Sequence, residues 1–340
     1  MAKQFLKVHD ANFATRPALA AGKYTAYNYS DMTWSPYGPY WRQARKIFLS
    51  EVFHPNRLEF FKPVRDEEGR AFLSRLHALS GKPVLLRGHL SRFTLSNISR
   101  MVVSNKYFGD GEGSVFELGE LQGMLDEWFL LNRAFNVGDW IPWLGFLDLQ
   151  GYVGRMKELY KKLDRFNEHV IDDHQARRSD EKFTPKDLVD VLLVMAEKPD
   201  LEDLLTGGTD TSAKTVEWAI HEVMRHPRVA EKVREELDRV IGRERWVEES
   251  DYSRLPYIDM MVSNFSFLPF SSGRRRCPGH KLGLKLVRTT LANLLHGFDL
   301  RLVEGMKPQD VCLEELYGLT VHPKEPLQLI MEPRLPSHLF

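Results

Sequence analysis

From about residue 40 to residue 260 the apolar side chains recur mostly at steps of three and four, and this spacing constrains the chain more than any other feature. A helix places such positions on one face, so each segment has a stripe to bury against its neighbours. Val153, Met156, Tyr160, Leu163, Phe166 and Val170 form one stripe. Ala213, Val216, Ile220 and Val223 form a second between Asp210 and His226, stopped by Pro227. Val229, Val233, Leu237 and Val240 form a third before Gly242. Extended segments are expected only around Pro83 to Leu86 and near the end, where Leu319, Val321, Leu327, Leu329 and Met331 partly alternate. No repeat or low-complexity tract divides the chain. Residues 1–340 therefore read as a single domain, mainly α with a small β component.

An apolar content of 43% with 28% charged residues suits a packed core and excludes disordered or fibrous classes. The 47 basic and 47 acidic side chains balance, so no global field recruits nucleic acid or an anionic surface. With Cys277 and Cys312 as its two cysteines, the chain carries no disulfide framework and no Cys-x-x-Cys site, which favours a reducing compartment. The first residues lack the apolar stretch of a signal peptide, and no window reaches the ~18 apolar residues of a membrane span. As written, the chain reads as soluble.

Two patterns imitate functional motifs. His221 and His226 suggest a zinc-protease helix, but five residues turn a helix to roughly 140° past one full turn, so the imidazoles are expected on different faces. Arg274, Arg275 and Arg276 alone are a weak signal for a phosphate patch. Their better explanation lies in the segment Phe270-Ser-Ser-Gly273-Arg-Arg275-Arg-Cys277-Pro-Gly279, which runs into an amphipathic helix with Leu284, Val287, Leu291, Leu294 and Leu295 inward and Gly297 as its stop. A cysteine near a helix N-terminus among three guanidinium groups is favoured as thiolate, the form that ligates metal or acts as nucleophile. The plain alternative is a buried structural cysteine.

The order Phe-x-x-Gly-x-Arg-x-Cys-x-Gly resembles the haem-binding loop of the cytochrome P-450 haem-thiolate monooxygenases. The resemblance implies Cys277 as axial iron ligand, Gly273 passing close under the porphyrin, Arg275 pairing with a haem propionate, Phe270 shielding the sulfur and Gly279 closing the motif. Upstream, Gly207-Gly208-Thr209-Asp210-Thr211-Ser212 is similar to the acid-alcohol stretch of the family's central helix, where Asp210 and Thr211 would organise proton delivery. A helix N-cap at Thr209 or Asp210, with the helix starting at Thr211, is the other reading. Trp41 and Arg45 match the Trp-x-x-x-Arg of the propionate-contacting helix, and the residues from Trp34 to Tyr40 look like the plant A-type subgroup.

What the resemblance implies is a haem b enzyme that hydroxylates a small lipophilic plant metabolite of flavonoid, phenylpropanoid or terpenoid class with dioxygen. Electrons would come from NADPH through a separate flavin reductase, docking where Arg274, Arg276, Lys281 and Lys285 offer basic contacts. The family also implies the cytosolic face of the endoplasmic reticulum membrane. Against the family pattern the chain lacks the N-terminal anchor. Pro199 closely precedes the glycine pair, and the haem loop follows Val262-Ser263 where the family continues through a Glu-x-x-Arg helix. The expectation is therefore an incomplete cytochrome P-450 fold with internal gaps near 200 and near 262, and the alternative function is a truncated, non-catalytic member with weak or no haem binding. Glu-x-x-Arg does occur at Glu67/Arg70, Glu222/Arg225, Glu231/Arg234 and Glu236/Arg239, read here as charge pairs on solvated helix faces.

Overall fold

The computed structural model describes residues 3–104, 118–178, 184–195, 202–263 and 270–340. Its helices, in chain order, are α1 (Ala20–Thr25), α2 (Pro39–Ile47), α3 (Pro55–Phe60), α4 (Lys62–His77), α5 (Leu86–Val103), α6 (Leu118–Arg133) and α7 (Val137–Trp140). They continue with α8 (Tyr152–Arg178), α9 (Leu188–Met195), α10 (Glu202–Arg225), α11 (Pro227–Val240), α12 (Pro256–Ser263) and α13 (His280–Gly297). The strands are β1 (Pro83–Leu85), β2 (Phe298–Leu302), β3 (Glu315–Leu316), β4 (His322–Pro323) and β5 (Gln328–Pro333). Pro199 and the stretch 264–269, where the two internal gaps were expected, lie outside the described residues.

The chain divides into two compact units. One comprises 1–60, 98–207 and 270–278, and the other 61–97, 208–269 and 279–340. In the first, α8 is the spine: Met156, Leu163, Phe166 and Val170 of the expected stripe are buried, Val153 and Tyr160 are half-buried, and Leu159, not foreseen, is buried with them. Facing it are Leu121, Leu125 and Leu131 of α6 and the small residues Ala20 and Ala21 of α1. Small side chains let α1 approach closely, and a Cβ at Gly22 would meet the Tyr29 and Trp34 rings at 2.7 and 2.9 Å.

In the second unit α13 is the buried centre, with Leu286, Leu291, Leu294 and Leu295 at most 4% exposed, against α4, α11 and α12. Beside it runs the antiparallel sheet β1-β5-β2, with Val84 opposite Leu329 and Leu300 opposite Met331. Leu329 and Met331 of the central strand are fully buried, as alternation predicts. Leu319 and Val321 fall outside strands, and β2 was not foreseen.

Three sequence readings need correction. Gly297 is not a left-handed stop: it is the last residue of α13, and a Cβ there would sit 2.5 Å from the Trp246 ring, so close packing demands it. Gly242, at φ +79°, does take the left-handed role after α11. Leu284 is half-buried rather than inward. Glu236 is not on a solvated face, being 5% exposed; its carboxylate accepts the Tyr257 and Ile258 N–H groups at 2.9 and 3.1 Å, satisfying the first turn of α12.

Candidate functional site

Cys277 lies in a loop that precedes α13 by three residues, with Gly279 as the helix N-cap, so the thiol sits short of the helix rather than in its first turn. The loop closes on itself, the Cys277 N–H donating to the Phe270 carbonyl at 3.0 Å and the Arg276 N–H to Gly273 at 3.2 Å. Cys277 is half-buried, and neither it nor Cys312 is in a disulfide. Arg45, from the last turn of α2, donates to the Arg276 carbonyl at 2.6 Å. Burial pushes the Arg45 guanidinium below its ordinary value, while nearby Cys277 pulls the other way.

Trp41 organises this side of the loop. Its ring carries the Arg275 guanidinium at 4.3 Å from the centroid and that of Arg45 at 5.3 Å, while its indole N–H donates to Met32 O at 3.0 Å. The first unit thus brings together Trp41, Arg45, Phe270, Gly273, Arg275 and Cys277. Arg275 donates to three carbonyls, Ala14 at 2.7 Å, Met32 at 3.2 Å and Ser35. Burial, then the neighbouring Arg16, push its pKa down to about 10. The turn that receives it is built by two carboxylates: Asp31 accepts the Trp34 and Ser35 N–H groups, and Asp203 accepts the Met32 N–H and the Thr33 hydroxyl. Sequence reasoning missed both; no motif marks them.

Asp210 and Thr211 belong to the second unit. They lie inside α10, which begins at Glu202, so the N-cap reading is overturned and both glycines are interior to the helix. A Cβ at Gly207 would meet nothing within 4 Å, so packing among the described residues does not require the glycine. Asp210 pairs with Lys214 at 2.6 Å and accepts the Thr320 hydroxyl, while Lys214 also donates to Thr320 at 2.7 Å. Thr211 is exposed, its carbonyl accepting from Thr215.

The family model described as Cytochrome P450 matches residues 1–263 and 261–331. The chain belongs to the cytochrome P450 family. It is 36% identical to trimethyltridecatetraene synthase of Zea mays over 446 aligned residues that take in all of this chain and 80% of the relative. It is 32% identical to flavonoid 3'-monooxygenase of Arabidopsis thaliana over 428, covering all of this chain and 83% of that one. Both alignments are longer than the 340 residues of this chain, so each relative carries further residues within the matched span. A solved zebra fish cytochrome P450, 19% identical, superposes with a TM-score of 0.76 over 98% of this chain and 92% of its own. The family's enzymes are haem-dependent monooxygenases that take a small molecule, dioxygen and electrons from a redox partner.

As a cytochrome P450 site, the donor set fits a haem: a half-buried sulfur outside any disulfide, a closed loop presenting it, and the Arg45 cation beside it. Three residues are placed differently from expectation. Gly273, at φ +71°, makes its close approach to Leu6 O and to Asp10, where a Cβ would come within 2.2 and 2.7 Å. Lys285 is not a surface contact for a partner, because it is paired with the buried Glu249. Arg274 is paired with Asp10, whereas Arg276 and Lys281 are exposed.

His221 and His226 point apart as expected. His221 is fully buried with its nitrogens near Glu217 O and Glu325 O, and His226 is exposed beside Glu222. A different cluster went unread in sequence, where His174, Asp187 and Asp190 bring potential ligand atoms within 4.8 Å, all buried. The Arg177 guanidinium reaches both carboxylates at 3.8 Å and supplies positive charge already, so the group is a buried ion network tying α8 to α9.

Proposed function

We propose that this chain is a haem-thiolate monooxygenase acting on a small lipophilic plant metabolite of flavonoid, phenylpropanoid or terpenoid class, with electrons passed from NADPH through a separate flavoprotein reductase. The observation that supports this most is Cys277, presented by a loop closed through the Phe270 carbonyl and flanked by Arg45. The relatives named above support the substrate class, one being a flavonoid 3'-monooxygenase and the other a trimethyltridecatetraene synthase.

Bound haem would supply activation of dioxygen at a thiolate-ligated iron. Cys277 would hold the iron, with Phe270 limiting water at the sulfur and Gly279 starting the helix behind it. Arg45 and Trp41 would face the propionates, whereas Arg275, given the same role by the resemblance, has each guanidinium nitrogen on a backbone carbonyl. Asp210, bonded to the Thr320 hydroxyl and Lys214, would with Thr211 organise the water chain that delivers protons. By its family, the chain would act at the cytosolic face of the endoplasmic reticulum membrane. Among the described residues no helix is long and apolar enough to cross a membrane. Instead, the stretch from Phe135 to Leu149 exposes Trp140, Trp143 and Phe146 at 67%, 73% and 82%, and suits a lipid interface.

A second reading is a non-catalytic member with weak or no haem binding. The break of the family match at 261–263, and the further residues its relatives carry within the aligned span, favour it. One experiment separates the two. The chain is purified with hemin, reduced and exposed to carbon monoxide. A red-shifted, thiolate-type Soret band that disappears in Cys277→Ser supports the monooxygenase. A colourless protein supports the second reading, and a band unchanged in Cys277→Ser removes Cys277 as ligand.

A further inference from the structure

We propose that Asp10 is a positioning residue for the cysteine loop, its carboxylate clamping Gly273 and Arg274 so that Cys277 is held in place. The inference rests on the haem-thiolate reading for its purpose, though its geometry is independent of haem. Asp10 Oδ2 accepts the Arg274 backbone N–H at 2.8 Å, and Oδ1 takes the Arg274 guanidinium. One carboxylate therefore grips both the backbone and the side chain of a single loop residue, fixing the orientation of a peptide unit and not only a charge. Tyr37 closes the other side, with its hydroxyl 3.1 Å from Arg274 Nε and its ring 5.7 Å from the guanidinium carbon.

The backbone makes the same case. Gly273 sits at φ +71° with no room for a side chain, because a Cβ there would lie 2.2 Å from Leu6 O, 2.7 Å from Asp10 Oδ2 and 2.9 Å from Asp10 Cβ. One residue after Arg274, Arg275 donates to Ala14 O at 2.7 Å. Three consecutive loop residues thus rest on the segment from Leu6 to Ala14. That segment is itself a fixed turn, with the His9 N–H donating to Gln4 O, Asn12 to His9 O and Phe13 to Asp10 O. Two residues beyond this clamp the chain reaches Cys277. Glycine at 273 is explained by the approach of the protein's own N-terminal segment.

The test compares alkylation of Cys277 and Cys312 by iodoacetamide in the intact chain, read by mass spectrometry, with Cys312 as internal control. Asp10→Ala should raise the Cys277-to-Cys312 rate ratio about fivefold, the factor that corresponds to ~1 kcal/mol. Asp10→Asn, which keeps one acceptor for the Arg274 N–H, and Arg274→Ala, which keeps the backbone arm, should each give a smaller rise. An unchanged ratio overturns the clamp. So does a parallel rise at both cysteines, which reports general unfolding. With hemin, reductant and carbon monoxide, Asp10→Ala should lose the thiolate-type band faster than the parent, and equal decay overturns the proposal. A parent chain that takes up no haem while the cysteine ratio still responds defeats the haem reading and supports the clamp.

Discussion

Two carboxylates shape the turn that receives Arg275, and they do so at a cost. Asp31 is buried and faces the charge of Asp203, and both effects raise its pKa well above the ordinary carboxylate range, burial first. A carboxyl group whose native pKa is raised binds its proton more tightly folded than unfolded. Stability therefore falls as the pH climbs from the unfolded value near 4 towards the raised native one. Asp31→Asn keeps an acceptor for the Trp34 and Ser35 N–H groups and removes the charge. It should be more stable than the parent by on the order of 1 kcal/mol at pH 8, and by less at pH 5. Urea midpoints at the two pH values check this; an advantage that fails to grow with pH refutes it. The residue scale is also where sequence reading reached least. Cys277, Arg45 and Trp41 were legible because fixed spacing marks them. Asp10 and Asp203 were not, because each acts on residues far along the chain and no local pattern records a distant turn; Asp31 bonds Trp34 and Ser35 only three and four residues on, a local turn signal that went unread.

Among the elements, α12 shows how a buried charge can serve a helix. Its first turn is closed by Glu236 from α11, across about twenty residues of sequence. Glu236→Ala leaves two amide groups without an acceptor in a buried setting, and should cost about 2 kcal/mol, read as a lowered urea midpoint. Glu236→Gln, which retains one acceptor, should lose roughly half as much. An Ala variant as stable as the parent would show that these bonds carry no net stability. Helices α8, α10 and α11 were readable because their stripes are long and regular. The start of α10 was not, since two glycines and a run of hydroxyl residues resemble a cap, and nine earlier positions of helix outweighed that local signal. β2 escaped notice because its five residues follow α13 without a turn, and its pairing with β5 is what makes them extended.

At the scale of the whole molecule, one departure from an ordinary surface among the described residues is the exposed aromatic run between Phe135 and Leu149. Replacing Trp140, Trp143 and Phe146 together by Ser should weaken binding to phosphatidylcholine vesicles on the order of tenfold in a flotation assay. The far-UV spectrum should be unchanged, because these rings are not part of the buried core. Equal flotation of the two proteins would remove this stretch from membrane contact. Fold class was legible from periodicity alone, whereas the division into two units was not, since each interleaves three separate stretches of sequence.

That interleaving has a consequence for how the protein is made. Residues 270–278 complete a unit whose other parts are the first sixty residues and the stretch 98–207, and Arg275 is bonded to Ala14, Met32 and Ser35. During synthesis the early part of that unit emerges long before the nine residues that finish it. It must wait, with the carbonyls meant for Arg275 facing water, until translation has passed the cysteine. A ribosome that stalls anywhere before residue 278 releases a chain whose first unit is still missing its final piece.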